Sequence, residues 1–176
     1  MTNTRPSRLH HTAYVTKDLE KTRQFYEDVI GAPLVATWAE QEELFGKERT
    51  YAHCFFELAD GSALAFFQFR DEDDAKEFGP HQAESPFIHV ALNVTPDYQE
   101  AVIKRIENYG PAEGDFYILD HGYCKSVYVR DPNRMLLEFT TDANDLDEVI
   151  ASRRETAHAD LKRWLSGDHT PNNDVR

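Results

Sequence analysis

The sequence repeats one order of secondary structure elements, and this repeat constrains the fold more than any other feature. Residues 11–13 (HTA) open a short strand-like run that leads into a helical pattern, and residues 89–91 (HVA) open a second such run. Asp18 and Asp97 are expected to open the two helices, and Gly31 is expected to close the first. Each helical pattern is followed by strand-like runs with period-two alternation. The last runs also match, since residues 64–66 (LAF) correspond to residues 137–139 (LEF). The repeat predicts two tandem β-α-β-β-β units.

The repeat predicts an α+β fold in which the two units form a curved mixed sheet around a cavity. An acidic stretch with glycine and proline separates the units and is expected to be a solvated loop. Behind the second unit, an apolar stripe indicates a helix that caps the sheet or pairs with a second chain. The predicted boundaries are 8–70 for the first unit, 71–85 for the linker, 86–142 for the second unit and 143–166 for the C-terminal helix, all within one domain spanning 1–176.

Net charge and hydropathy narrow the classes of partner. A formal charge of −13 repels phosphate backbones and anionic lipid heads, so neither nucleic acid nor a membrane surface is expected as a partner. No apolar run approaches the ~18 residues of a membrane span, and the first residues lack the apolar core of a signal peptide. We therefore expect a cytoplasmic protein that acts on a small molecule.

Three side chains have the chemistry of a metal centre. Strand alternation puts His11 and His89 at equivalent positions of the two units, and Glu138 lies on the last strand of the second. Two imidazoles and one carboxylate suit Fe(II) or Mn(II) and leave coordination positions open. The alternative is two half-buried strand histidines and an edge charge. The apolar neighbours of Glu138 favour the metal site, because an unpaired carboxylate is costly to bury.

The motifs of residues 11–34, 87–94 and 126–139 resemble those that open and close the units of the vicinal oxygen chelate superfamily. This superfamily includes glyoxalase I, bleomycin-resistance proteins, methylmalonyl-CoA epimerases, fosfomycin-modifying transferases and type I extradiol dioxygenases. The resemblance covers about residues 8–142. It implies a metal-binding fold with His11, His89 and Glu138 as ligands. The position of a fourth ligand is taken by Ala65, which cannot bind metal.

A vacant fourth position is similar to that of the extradiol dioxygenases. The resemblance therefore implies oxygen-dependent ring cleavage of a catechol-like compound, with Fe(II) as the expected metal and Mn(II), Zn(II) or Ni(II) as alternatives. Tyr128 matches a tyrosine that positions the catecholate. The acid-base histidine of those enzymes is replaced by Gly61 and Ser62, so His53 or His121 is the candidate for that role.

An apolar, aromatic pocket is expected around the metal, which suits an aromatic substrate. Two other functions stay open: lyase, isomerase or epimerase chemistry with the metal as a Lewis acid, and a module that only binds an aromatic compound. The C-terminal helix also makes a homodimer plausible. The predicted lining residues are Trp38, Phe56, Phe67 and Phe69.

Overall fold

The computed structural model describes residues 6–79 and 84–172 and contains eight strands, four helices and one π-helical segment within them. The elements follow the predicted order in both units. They are β1 (His11–Val15), α1 (Leu19–Arg23) continued by the π-helical segment Gln24–Ile30, β2 (Leu34–Leu44), β3 (Lys47–Glu57), β4 (Ala63–Phe69), α2 (Glu72–Phe78), β5 (His89–Asn93), α3 (Pro96–Tyr109), β6 (Phe116–Asp120), β7 (Cys124–Arg130), β8 (Leu136–Asp142) and α4 (Leu146–Leu165).

The strands form two four-stranded mixed sheets with the same topology, in the orders β1-β4-β3-β2 and β5-β8-β7-β6. The first strand of each unit runs parallel to the last, and the other pairs are antiparallel. Ala13 pairs with Ala65 in the first sheet, and Ala91 pairs with Glu138 in the second. The matching registers confirm the predicted repeat and make Ala65 the counterpart of Glu138.

The helix of the first unit begins and ends where the sequence predicts. Asp18 caps it by accepting a hydrogen bond from the backbone N–H of Lys21 at 3.0 Å. Gly31 closes the π-helical segment with a φ of 91°, a conformation that glycine adopts without a Cβ penalty. In the second unit the cap is Thr95 rather than the expected Asp97, which lies in the first turn of the helix.

One core unites the two units. The helix-facing side chains of both sheets, such as Phe66 and Phe139, pack into a single buried cluster with residues of both unit helices. Tyr98 donates a hydrogen bond to the carbonyl of Ile30 at 2.6 Å, which ties α3 to the first unit. Since both helix-facing sides turn toward this shared core, the opposite sides of the two sheets turn away from each other. We call these two sides the outer faces.

Seven residues of the stretch predicted as a solvated linker form a helix, so that interpretation is wrong for α2. Asp71 caps this helix by accepting hydrogen bonds from the N–H groups of Asp73 and Asp74. Asp74 is buried against β3, where it pairs with the equally buried Arg49 and accepts a hydrogen bond from Lys47 at 2.9 Å. The acidic residues thus anchor the β2–β3 hairpin. Residues 80–83 of the linker lie outside the described residues.

The C-terminal helix, α4, lies along the outer face of the second sheet. Its first turns line a cavity together with strand residues, while Trp164 and Leu165 near its end are 56% and 75% exposed. Among the helices of residues 6–79 and 84–172, none combines the length and the hydropathy of a bilayer span.

Candidate metal centre

His89 and Glu138 form the centre of the site. They lie on the neighbouring strands β5 and β8, and the Nε2 atom of His89 is 2.9 Å from the Oε2 atom of Glu138. The Nδ1 atom of His89 is 3.2 Å from the carbonyl oxygen of Pro86. A carbonyl can only accept, so Nδ1 carries the proton and the lone pair of a neutral imidazole is on Nε2. Two lone pairs at this distance repel unless a proton or a metal ion lies between them.

The donor set therefore fits a divalent metal ion. Imidazole nitrogen and carboxylate oxygen bind such ions at about 2.0–2.2 Å, which puts adjacent ligands about 3 Å apart. Glu138 is oriented by Ser126, whose hydroxyl donates to its Oε1 atom at 2.5 Å. Glu138 is 7% exposed. The partners of both side chains thus hold Nε2 and Oε2 toward one point.

Tyr128 and His121 adjoin this pair. Tyr128 lies opposite Glu138 in the β7–β8 ladder, and its hydroxyl is 3.0 Å from the Nε2 atom of His121. Burial, together with the nearby Glu138 carboxylate, raises the pKa of Tyr128 to about 12. The phenol consequently stays protonated at neutral pH and can donate a hydrogen bond. Two of the three predicted catalytic residues are thus beside the predicted ligands His89 and Glu138.

His11 is not beside them within one chain. It is exposed on the outer face of the first sheet, where its ring forms a T-shaped contact with Phe55 and its Nδ1 atom is 2.7 Å from the Nδ1 atom of His10. Within the described part of the chain, no three His, Cys, Asp or Glu side chains are grouped so that they could hold a metal ion. The expected convergence of His11 with His89 and Glu138 in a single cavity does not occur in one chain, because the two outer faces point apart.

The predicted aromatic residues divide between the two sides of the first sheet. Phe67 and Phe69 share the outer face with Ala65, and Trp38, paired with His53 in the β2–β3 ladder, lies on the same side with 59% exposure. Phe67 stacks on His53 with ring centroids 3.8 Å apart. Burial lowers the pKa of His53, and no described residue bonds its buried Nε2 atom.

Phe56 faces the opposite way, so its assignment to the pocket lining is wrong. It is fully buried in the shared core, where its ring packs against Tyr26 at 5.2 Å between centroids. Phe55 and Phe56 are adjacent on β3, and strand alternation allows only one of them to point toward the outer face. The structure puts Phe55 there, next to His11.

A cavity of about 600 Å³ lies beside Glu138 between the second sheet and α4. Its helix wall includes Leu146, Val149 and Arg153, and its sheet wall includes Thr140. The sequence interpretation missed Arg153 and Ser126. A signal existed for each: Arg153 interrupts the apolar stripe of the C-terminal helix, and Ser126 is two residues before Tyr128 on the same strand.

A family model, that of the glyoxalase/bleomycin resistance protein/dioxygenase superfamily, matches residues 8–139. The chain belongs to this superfamily. The match covers the first unit and the second unit up to Phe139 in β8, so it ends before α4. A search of the curated proteins finds no match.

Solved structures of the superfamily share the fold at low sequence identity. The fosfomycin resistance protein FosX from Listeria monocytogenes is 20% identical, with a TM-score of 0.58 over 81% of this chain and 98% of that chain. A variant of that protein, in complex with Mn(II) and 1S,2S-dihydroxypropylphosphonic acid, has a TM-score of 0.57 at 20% identity over 83% and 99% of the two chains. A glyoxylase/bleomycin resistance protein/dioxygenase domain from Frankia sp. EAN1pec is 14% identical, with a TM-score of 0.60 over 80% and 95% of the two chains.

Proposed function

We propose that this protein is an enzyme that uses a divalent metal ion to act on a small molecule with two neighbouring oxygen atoms. The observation that carries the proposal is the His89–Glu138 pair, whose Nε2 and Oε2 atoms are 2.9 Å apart and need a proton or a metal ion between them. Fe(II) and Mn(II) suit a histidine and carboxylate donor set. The Mn(II) in the FosX variant is consistent with this choice.

The third ligand, in this proposal, is His11 of a second copy of the chain. The repeat register makes His11 the counterpart of His89, while Ala65 replaces the carboxylate, so the outer face of the first sheet provides one ligand. The outer face of the second sheet provides two ligands, His89 and Glu138. A two-fold symmetric homodimer that joins the first sheet of one chain to the second sheet of the other completes two identical centres.

The bound ion would act as a Lewis acid on the substrate oxygens. Glu138 and His89 are held in place by Ser126 and by the Pro86 carbonyl, so they need little reorganisation to bind the ion. Tyr128, protonated at neutral pH, donates a hydrogen bond to a substrate oxygen, and His121 connects its hydroxyl to solvent. His53, which lies on the same sheet as His11, is the further candidate for proton transfer.

Two reaction classes fit these residues. The first is Lewis-acid chemistry without oxygen, as in a lyase, isomerase, epimerase or addition reaction. The second is extradiol cleavage of a catechol with Fe(II). The specific observation in favour of ring cleavage is the outer face of the first sheet, where Trp38, Phe67 and Phe69 offer aromatic surface for a planar ring and Ala65 leaves a coordination position open.

Metal content and oxygen use test the proposal. Anaerobically purified protein should bind Fe(II) or Mn(II), and His89→Ala should lose the ion on dialysis. His158→Ala, which removes an exposed imidazole of α4, should keep it. If the Fe(II)-loaded protein converts catechol only after air is admitted, the reaction is ring cleavage. If the Mn(II)-loaded protein converts its substrate fully under argon, the reaction is Lewis-acid chemistry without oxygen. Unchanged metal content in His89→Ala would refute the metal centre and favour a module that only binds aromatic compounds.

A further inference from the structure

The cavity beside Glu138 has a wall that is not part of the superfamily match. The matched segment ends at residue 139, whereas α4 begins at Leu146. The first turns of α4 nevertheless face the second sheet, since Leu146, Val149 and Ile150 line the same cavity as Glu138. Side chains on this wall are therefore in a position to select which molecules reach the His89–Glu138 pair.

Arg153 is the cationic side chain of that wall. It is one helical repeat of seven residues after Leu146 and so lies on the same side of α4. Its Nη2 atom donates to the backbone carbonyl of Asn172, and no carboxylate among the described residues forms an ion pair with it. A guanidinium has five N–H donors, so most of them are left for another acceptor. The adjacent Arg154 is exposed and does not line the cavity.

The charges around the cavity favour an anion once a divalent ion is bound. Glu138 and Asp142 provide two negative charges, and Asp142 accepts a hydrogen bond from the Asn93 side chain at 2.9 Å. Arg153 provides one positive charge and a divalent ion adds two, so the loaded cavity has a net positive charge. Its aliphatic wall supplies contacts for the uncharged part of a ligand.

We infer that this protein selects substrates that carry an oxyanion, a carboxylate or phosphonate, in addition to the two neighbouring oxygens, and that Arg153 binds this oxyanion. The inference rests on the proposed function, because it takes the vicinal oxygens to lie at the metal ion. Arg153 is then a specificity-determining residue. The planar fork of its guanidinium matches the geometry of both oxyanions.

Three probes with one common catechol group test the inference: catechol, 3,4-dihydroxybenzoate and 3,4-dihydroxyphenylphosphonate. Their dissociation constants are measured by calorimetry on the full chain loaded with Mn(II). The wild-type protein should bind at least one charged probe on the order of 10-fold to 100-fold more tightly than catechol, since hydrogen bonds to charged groups have that strength. The two charged probes distinguish a carboxylate site from a phosphonate site.

Arg153→Gln should abolish the preference for charged probes and leave catechol binding unchanged, whereas Arg154→Gln should behave as wild type. Equal affinity of all three probes for the wild-type protein would overturn the inference. An equal loss of affinity for all three probes in Arg153→Gln would also overturn the inference, because that result would mean that Arg153 only supports the cavity wall. Mn(II) binding is measured first, without probes; its absence would contradict the proposed function itself and this inference with it.

Discussion

The arrangement of the two outer faces makes a quantitative prediction about paired variants. One chain carries His11→Ala and its partner carries Glu138→Ala, and the two are co-expressed with different tags so that only the mixed dimer is purified. Each substitution alone removes one proposed ligand from both centres of a symmetric dimer. Neither homodimer is therefore expected to retain metal after dialysis.

The mixed dimer is expected to regain one centre. In the proposed dimer, a centre takes His11 from one chain and the His89–Glu138 pair from the other, because the outer faces of a single chain point apart. One centre of the mixed dimer then has both substitutions and the other has none. The mixed dimer should hold about half as much metal as the wild type.

A reciprocal pairing serves as the control. A chain with both substitutions, His11→Ala and Glu138→Ala, is paired with a wild-type chain. Each centre of this dimer then lacks one ligand, so no metal should remain. Metal per dimer is measured by elemental analysis after dialysis, and His158→Ala reports any nonspecific effect of removing an exposed imidazole.

The two pairings exchange their outcomes if each centre forms within one chain. Half of the wild-type metal in the wild-type/double-variant dimer, and none in the dimer with separated substitutions, would refute the shared centre. A monomer at micromolar concentration that still binds one metal ion per chain would refute it as well.

Three further predictions concern the fold and the site. Asp74→Ala should lower the free energy of unfolding, measured in urea, by about 3–5 kcal/mol, because it removes the carboxylate that pairs with the buried guanidinium of Arg49. Asp73→Ala, at an exposed position, should change this free energy by less than about 0.5 kcal/mol, and equal effects of the two variants would contradict the role given to α2. Phe56→Ala should lower the free energy of unfolding by about 3–5 kcal/mol in the same assay and leave metal binding intact. Phe67→Ala, on the outer face, should lower this free energy clearly less, and the reverse order would contradict the placement of the two rings. In the metal-free protein, tyrosinate absorbance should show one phenol that ionises with a pKa of about 12, and Tyr128→Phe should remove this ionisation. Because the phenol loses its proton at a lower pH in the unfolded chain, the free energy of unfolding should fall as the pH rises from about 10 to about 12. Ionisation of Tyr128 near pH 10 would argue against its burial.

Local patterns were sufficient for most of the fold. The repeated order of elements, the cap at Asp18 and the stop at Gly31 depend on residues close together in the chain, and the structure has them as predicted. The helix of residues 72–78 was missed because its acidic composition is typical of a solvated loop. The cap at Asp71 begins this helix, and the pairing of Asp74 with the buried Arg49, 25 residues earlier in the chain, holds it against β3.

The candidate site was predictable in its residues more than in its arrangement. Strand alternation correctly put Glu138 and His89 on one side, and Tyr128 followed from the resemblance. Alternation could not tell which of Phe55 and Phe56 points outward, because both are aromatic and adjacent. The choice depends on which side of the sheet packs against the helices.

By itself, the sequence determined the two units, the correspondence between their opening and closing strands and the asymmetry between Ala65 and Glu138, since all of these follow from the repeat and from the chemistry of single side chains. Only the tertiary structure decided that the helix-facing sides of the two sheets share one core. Burying both apolar sides together turns His11 away from the His89–Glu138 pair, and it brings Arg153 of α4 to the same cavity as Glu138. These outcomes depend on contacts between residues far apart in the chain, whose summed burial energy is not encoded in any local pattern.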